Sequence, residues 1–250
     1  MKTILSAAAF AVVAAVSFGQ TGAVRGVLVV AGSTPGAFDS HFKTALQLHN
    51  RGTTAAHGML VFHPNGRAAS AGDPFVAYGI DPRETLHFDD VVAAMGATGL
   101  GSIDIIPSAG PVPAVMARAF DDRPEGTSGA TIPLLDPRDA LAPATPGTLI
   151  VPPDLDRFRF NIGIRSLSDG AVVRLTVFGA NGIERFAVER TFAPDLLEQK
   201  PAADMLGAPL FAGDSIAVQL VSGSAFVYGT TTDNISNDPS VQAAAALDLP

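Results

Sequence analysis

The sequence predicts an all-β protein built from two tandem antiparallel β-sandwich units that arose by internal duplication. Three observations support this fold class. Apolar residues alternate with a period of two in several short runs, turn dipeptides follow those runs, and the second half of the chain repeats the first. The chain has 250 residues, including 25 Gly and 19 Pro, a content that favours many turns and few long helices.

Residues 1–19 read as a signal peptide. Lys2 supplies the positive charge, residues 4–18 form an apolar stretch, and Ser17 and Gly19 place small residues where signal peptidase needs them. We expect cleavage after Gly19, with cleavage after Ala23 as the alternative. The apolar stretch is shorter than the roughly 20 residues of a membrane span. The predicted location is therefore secreted, either extracellular or periplasmic, with no membrane span after cleavage.

The duplication is visible where residues 41–66 align without a gap on residues 157–182, an offset of 116. In each half a short helix-like stretch then precedes a β-like run and a glycine, Gly110 or Gly223. The predicted units are residues 24–135 and 148–250. Residues 136–147 contain three prolines and are typical of a semi-extended linker.

The individual elements follow from local patterns. Residues 158–164 alternate as a strand with one buried face, and residues 173–177 alternate likewise after the turn dipeptide Asp169-Gly170. Asn65-Gly66 and Asn181-Gly182 are further hairpin turns. The remaining strand candidates are residues 75–80, 103–106, 186–192 and 216–221. Six or seven strands and one short connecting helix per half suit a small sandwich; a single β-barrel spanning both halves is the alternative.

A family resemblance adds to this prediction. The run Phe-x-Phe-Asn-Ile-Gly-Ile at residues 158–164, the later Asn-Gly, and the closing Asp-Asn-x-Ser-x-Asp-Pro at residues 233–239 resemble a module of secreted bacterial proteins with paired Ig-like β-sandwich domains. The resemblance covers residues 158–239 well and the first half only in part. It implies an exported Ig-like fold and no catalytic residue.

Composition limits the function. The formal charge is −8, from 16 basic and 24 acidic residues, which argues against a nucleic-acid partner. Without Trp, an aromatic sugar-stacking site is disfavoured. Without Cys, the chain has no disulfides, thiol catalysis or zinc-thiolate site.

The loop of Asp233, Asn234, Asn237 and Asp238 is the best candidate for a ligand site. Clustered Asp and Asn oxygens suit calcium, although the spacing is not that of a helix–loop–helix calcium site and the closing Glu is missing. Asx residues also build turns by bonding their own backbone, and turn architecture is the preferred interpretation. Calcium is thus the one cofactor that the sequence suggests.

Two further groups of polar residues, one of histidines and one of arginines, are candidates for ligand binding. His41, His49, His57 and His63 fall in the first half and align with non-histidine residues in the second, so we interpret them as surface or strand-end residues rather than metal ligands. Arg157, Arg159 and Arg165 lie close together on one strand region. They would contact an anionic glycan or, as we prefer, protect an exposed strand face from edge pairing.

No nucleophile elbow or phosphate loop is present in the sequence. Asp89 and Asp90 are better explained as caps of a short helix than as acid–base groups. The resulting hypothesis is an exported non-enzymatic structural, cell-surface or adhesion-type protein, with a protein or glycan at the cell surface as partner. The alternatives are a carbohydrate- or calcium-binding module that uses Asp/Asn-rich end loops, and a hydrolase with an unrecognised carboxylate site.

Overall fold

The computed structural model describes residues 23–124 and 126–244; the predicted signal peptide lies outside these residues. The described chain is mostly β, as predicted, with two antiparallel sheets of nine and six strands and two short α-helices. The first-half elements are β1 (Gly26–Pro35), β2 (His41–His49), β3 (Ala56–Pro64), β4 (Phe75–Ile80), β5 (Thr85–Phe88), α1 (Val91–Ala94), β6 (Gly99–Ala109), β7 (Ala114–Arg123) and β8 (Gly126–Ile132). They are followed by β9 (Leu134–Leu135), β10 (Gly147–Ile150), β11 (Phe158–Phe178), β12 (Glu184–Phe192), β13 (Leu197–Pro201), α2 (Ala202–Leu206), β14 (Ser215–Asp233) and β15 (Pro239–Ala243).

The nine-stranded sheet consists of two ladders. One ladder has the order β4-β3-β6-β1, with β9 added to β1, and the other has the order β5-β2-β7-β8. The ladders are joined where the end of β1 pairs with the start of β2, through Thr34 with Phe42 and Pro35 with His41. All of these pairings are antiparallel.

The six-stranded sheet also contains two ladders, but they share two long strands. β11 and β14 pair with each other along most of their length. Residues 171–178 of β11 pair with β12, and residues 161–165 pair with β13. β14 likewise pairs first with β10 and later with β15. The orders are therefore β12-β11-β14-β10 and β13-β11-β14-β15.

The pairing scheme of the second half repeats that of the first. β11 replaces β2 and β3, β14 replaces β6 and β7, and each half has one short helix at the same place, after β5 or after β13. Asp90 caps α1 as expected, since its Oδ1 accepts a hydrogen bond from Ala93 N at 3.1 Å. One short helix per half was predicted, and this is confirmed.

The alignment at an offset of 116 holds for β2 and slips by one residue in β3. Leu46 and Ile162 both face a core, at that offset. In β3, however, Leu60 and Phe62 occupy the buried face that Leu175 and Val177 occupy in β11, which is an offset of 115. Strand pairing fixes this shifted register, since Leu60 pairs with Ile105 as Leu175 pairs with Val218.

Gly110 and Gly223 occupy matching places that exclude any side chain. Their φ angles are +74° and +71°, in the left-handed region that favours glycine. A Cβ would lie 2.0 Å from the carbonyl oxygen of Ala55 at Gly110, and 2.0 Å from that of Gly170 at Gly223. Glycine at these positions therefore lets two strand ends approach closely in both halves.

Two apolar clusters form the cores, and one of them crosses between the halves. One cluster is made of second-half residues, together with Leu141 of the connection. The other contains the first-half core and also Leu197, Phe226 and Tyr228, which are buried residues of the second half. The connection between the halves is itself attached, because Leu141 exchanges backbone hydrogen bonds with Ala225.

Candidate functional site

The hairpin turn at Asn65-Gly66 contacts the second half directly. The Asn65 side-chain amide donates to Gln199 O at 3.1 Å and accepts from Gln199 N at 2.6 Å. Gly66 N donates to Leu197 O at 2.8 Å. Gly66 has a φ of +80°, which gives the turn its shape. The sequence predicts a hairpin turn here; a turn is present, but it opens a longer connection, since β4 begins only at Phe75. Its contact with the second half comes from tertiary packing.

Arg165 forms the centre of this joint. Its side chain is fully buried, and Nη2 donates to both carboxylate oxygens of Asp104 on β6, at 3.1 and 2.9 Å. Nε donates to Ser102 Oγ at 3.0 Å. On its own half, Nη1 bonds to Ser166 O and lies 3.4 Å from Asp195 Oδ1. A buried charge needs this many partners to offset its lost hydration.

His63 extends the network through the first half. Its Nδ1 lies 2.6 Å from Asp73 Oδ2, and its Nε2 lies 3.1 Å from Asp104 Oδ2. Two carboxylates flanking one ring favour the imidazolium, in which both nitrogens donate. Burial opposes that charge, but the carboxylates outweigh it and raise the pKa of His63.

The two carboxylates are fully used by protein donors. Burial disfavours the charged form of Asp104, but His63 and Arg165 outweigh it and lower the pKa of Asp104. Asp73 also accepts hydrogen bonds from Arg67 Nη2 at 2.7 Å, from Ser70 N at 3.1 Å and from Ser70 Oγ at 2.9 Å. We call Arg67, His63, Asp73, Asp104 and Arg165 the joint network.

The joint network is a buried cluster of ion pairs whose role is structural. Both nitrogens of His63 face carboxylates, and the ring is buried, so neither nitrogen is placed to exchange a proton with a substrate. Three cationic groups meet Asp73 and Asp104, with the partly exposed Asp195 nearby. The charges are thus balanced within the protein.

The predicted calcium loop is a tight turn whose oxygens meet protein donors. Asp233 Oδ1 accepts from Ile235 N at 2.8 Å and Ser236 N at 2.9 Å, and Oδ2 accepts from Arg157 Nε at 2.9 Å. These bonds hold the pKa of Asp233 well below its usual range. Calcium binding to this carboxylate would have to compete with three hydrogen bonds.

Two of the three remaining loop residues also bind protein donors, and the third is exposed. The amide oxygens of Asn234 and Asn237 accept from Arg159, at 3.3 and 2.6 Å. Asn237 is buried, and its Nδ2 donates across the joint to Phe38 O at 3.2 Å. Asp238 is exposed. The loop therefore brings three of the four predicted residues onto two arginines, Arg157 and Arg159.

Sequence reasoning missed the joint network. The preferred interpretation placed Arg165 on an exposed strand face, which is wrong because its side chain is fully buried. His63 was interpreted as a surface or strand-end residue; it does lie at the end of β3, but its side chain is buried. Arg157 is largely exposed and Arg159 half-buried. A signal did exist in the sequence: Asp104 interrupts the apolar run at residues 103–106, and a charge in such a run needs a partner.

A crevice of about 210 Å³ also lies along the joint. Apolar residues such as Ala31 and Leu100 line it from the first half, and Arg159, Asn161 and Gln199 line it from the second. Pockets for drug-sized ligands are usually about 300–1,000 Å³, so this crevice would take only a small molecule.

No protein-family model and no curated protein matches the chain. Within residues 23–124 and 126–244, no helix has the length and apolar character needed to cross a membrane. In that same part of the chain, no three His, Asp or Glu side chains are grouped so that they could share a metal ion.

Proposed function

We propose that this chain is an exported, non-enzymatic structural protein of the cell-surface or adhesion type. In this proposal, two duplicated Ig-like β-sandwiches are held as one rigid unit, and the outer surfaces meet a protein or glycan partner. The observation that carries the proposal is the buried Arg165–Asp104 contact between the halves. Burying both charges costs hydration, which their attraction offsets only when the partners are held in one defined geometry, and a defined geometry between the halves is what a scaffold requires.

The repeated pairing scheme supports the duplicated sandwich. Each half contains two four-stranded antiparallel ladders in corresponding orders, if β9 is set aside. Gly110 and Gly223 fulfil the same steric requirement at corresponding strand ends. Two unrelated sequences would have no reason to share both features, whereas two copies of one ancestral unit would.

The rigidity of the joint is testable by distance measurement. The chain contains no cysteine, so Thr53→Cys and Asp204→Cys would place one spin label on each half at exposed sites. We expect a single narrow distance distribution in double electron–electron resonance. Introducing Arg165→Ala into the same labelled chain should broaden it, whereas Arg174→Ala, at an exposed ion pair, should leave it unchanged. A broad distribution in the unmodified labelled chain would refute the rigid joint.

Export needs its own experiment. If residues 1–19 direct secretion, a bacterial host that expresses the full chain should release a protein whose first residue is Gln20, or Val24 if cleavage follows Ala23. Mass spectrometry of the released and retained fractions measures this directly. Full-length protein confined to the cytoplasm would contradict the proposal.

A second candidate function, binding of a small carbohydrate, is favoured by the crevice at the joint. Arg159, Asn161 and Gln199 line it, and such side chains hydrogen-bond sugar hydroxyls. Thermal melting with monosaccharides tests this candidate. A saturable shift that Asn161→Ala abolishes would favour binding over a purely structural role.

A further inference from the structure

Each half carries two faces, and only one face of each half is used within the chain. We call the face with the Asn-Gly turn the turn face, and the face with β5 or β13 the socket face. At the joint, the turn face of the first half contacts the socket face of the second half, through Asn65, Gly66 and Asp104 on one side and Arg165, Leu197 and Gln199 on the other. This leaves the second turn face and the first socket face unused.

The unused turn face of the second half is exposed and apolar. Strand pairing makes Ile150 the counterpart of Val29, since Leu149 pairs with Ile216 as Leu28 pairs with Ile103. Val29 is 1% exposed and Ile150 is 68% exposed. Ile183 follows Gly182 in the second Asn-Gly turn and is 64% exposed. Val29 and Ile150 are thus apolar side chains at matching positions, covered in the first half and uncovered in the second, and Ile183 adds further exposed apolar surface at the turn, where the first half has Arg67.

Phe211 enlarges this apolar area. It lies beside the turn and lines one shallow depression together with Ile183 and Arg185. The Arg185 guanidinium carbon is 4.1 Å from the centroid of the Phe211 ring, and the same arginine is paired with Asp214. The ring is therefore held in place while it remains exposed, which suits a preformed contact surface.

The unused socket face belongs to the first half. Met116 pairs with Gln47 as Tyr228 pairs with Gly163, so Met116 is the counterpart of Tyr228. Tyr228 is 1% exposed and packs in the core cluster that crosses the joint, whereas Met116 is 51% exposed.

The neighbouring strand, β5, also exposes a position that is buried in the second half. Thr85 pairs with His49 as Leu197 pairs with Arg165. Leu197 is fully buried, and Thr85 is exposed. The first half thus presents at its surface the positions that the second half buries.

We infer that a second copy of this chain occupies these faces, so that chains associate head to tail. The turn face of one second half would lie on the socket face of the next first half and repeat the geometry of the internal joint. This contact is heterologous, so it leaves one free face at each end and leads to a ring or an open filament. The inference rests on the duplication within the proposed function.

The contact between chains is weaker than the joint within a chain. His49 stands where the second half has Arg165, and Ala217, which pairs with Thr148 as Asp104 pairs with Val27, stands where the first half has Asp104. The buried ion pair therefore has no counterpart, and apolar contact through Ile150, Ile183 and Met116 provides the attraction. Association should accordingly depend on protein concentration.

Sedimentation of the whole chain tests this inference. We expect the weight-average mass to rise beyond that of a dimer as concentration rises. Ile183→Asp on the turn face, and separately Met116→Asp on the socket face, should each weaken self-association by about tenfold or more, because interface energy concentrates in a few central side chains. The matched control is Ile235→Asp, an exposed apolar residue outside both faces, which should behave as the unmodified chain does.

Mixing the variants determines the geometry. A chain with Ile183→Asp keeps its socket face, and a chain with Met116→Asp keeps its turn face, so the mixture should form a one-to-one dimer and nothing larger. A monomeric unmodified chain at every concentration would overturn the inference, as would a mixture without dimers or association that only Ile235→Asp abolishes. Circular dichroism shows whether each variant is folded. The spin-label distance reports the joint within one chain, so failure of that joint and failure of this contact are distinguishable.

Discussion

Arg165 Nη2 lies 3.1 and 2.9 Å from the two carboxylate oxygens of Asp104, and the two residues belong to different halves of the chain. Asp104 Oδ2 is at the same time 3.1 Å from His63 Nε2. A single buried carboxylate therefore joins a strand of the second half to two strands of the first. The stability of the joint should depend strongly on each of these three side chains.

Arg165→Ala should destabilise the protein by about 3–5 kcal/mol, because it leaves Asp104 buried without its main cationic partner. Chemical denaturation measures the loss. Arg174→Ala is the matched control: its partner Glu189 is 3.4 Å away and both side chains are exposed, so the expected loss is about 0–1 kcal/mol. Equal losses for the two variants would show that the Arg165–Asp104 contact does not stabilise the fold.

His63 should make stability depend on pH. Its pKa is raised in the folded protein above the ordinary value of 6.5, so protonation favours folding. The contribution is complete below that ordinary value and is lost as pH rises through the raised folded value. The free energy of unfolding should therefore fall more steeply between neutral and alkaline pH for the unmodified chain than for His63→Gln.

The control for this effect is His41→Gln, because the His41 side chain is exposed. Its unfolding free energy should follow the pH dependence of the unmodified chain. Parallel curves for His63→Gln and the unmodified chain would mean that His63 has the same pKa in the folded and unfolded states. The contribution of Asp104 to stability depends on pH in the opposite direction. Its lowered pKa gives stability that is present above pH 3.8 and is lost as pH falls through the pKa of the folded state.

Removal of the hydroxyl should change the stability of the protein in opposite directions at the two tyrosines of the chain. The Tyr78 hydroxyl is buried and has no hydrogen-bond partner within the described residues, so Tyr78→Phe should raise stability by about 1 kcal/mol. The Tyr228 hydroxyl donates to Gln199 Oε1 at 2.9 Å, so Tyr228→Phe should lower it by about 1 kcal/mol. Thermal unfolding of the two variants side by side measures both effects.

The ionisation of these tyrosines provides a second measurement. Burial raises the pKa of Tyr78 to about 12, and it raises the pKa of the fully buried Tyr228 further. Since the chain has no tryptophan, ultraviolet absorbance during an alkaline titration reports tyrosinate alone. Ionisation of either ring near pH 10 in the folded protein would contradict its burial.

Asp233→Ala should lower the melting temperature equally in calcium and in a chelator, because the carboxylate already accepts bonds from Ile235, Ser236 and Arg157. Asp238→Ala, at an exposed position, serves as the comparison and should have little effect. A large calcium-dependent shift that either substitution abolishes would favour the calcium-binding alternative over turn architecture.

Local patterns in the sequence predict many of the strands, the Asn-Gly turns and the two short helices, because the alternation in β11 and the glycine of each Asn-Gly turn act over a few residues. They do not predict β1, β8, β13 or β15. The same patterns fail where partners are distant in sequence. Arg165 and Asp104 are separated by 61 residues, and neither position shows which residue will cover it. Arg165 on a strand of alternating residues gives the same signal whether its face meets water or another half.

The slip of register in β3 has a similar cause. The Asn-Gly dipeptides at residues 65–66 and 181–182 anchor the sequence alignment, yet two residues separate Phe62 from Asn65 and three separate Val177 from Asn181. The additional residue lies before the second turn, so the turns match at an offset of 116 while the strands before them match at 115. Sequence identity therefore favours one register, and the pairing of Leu60 with Ile105 and of Leu175 with Val218 sets the other.

The sharing of β11 and β14 between two ladders has a mechanical consequence. In the second half, the ladders are held together by continuous backbone, whereas the first-half ladders meet through two residue pairs at the end of β1. Under a stretching force, the first half should yield before the second, so single-molecule pulling should show two unequal rupture events. A protein of this kind would extend under load in stages, with the second half as the last folded element.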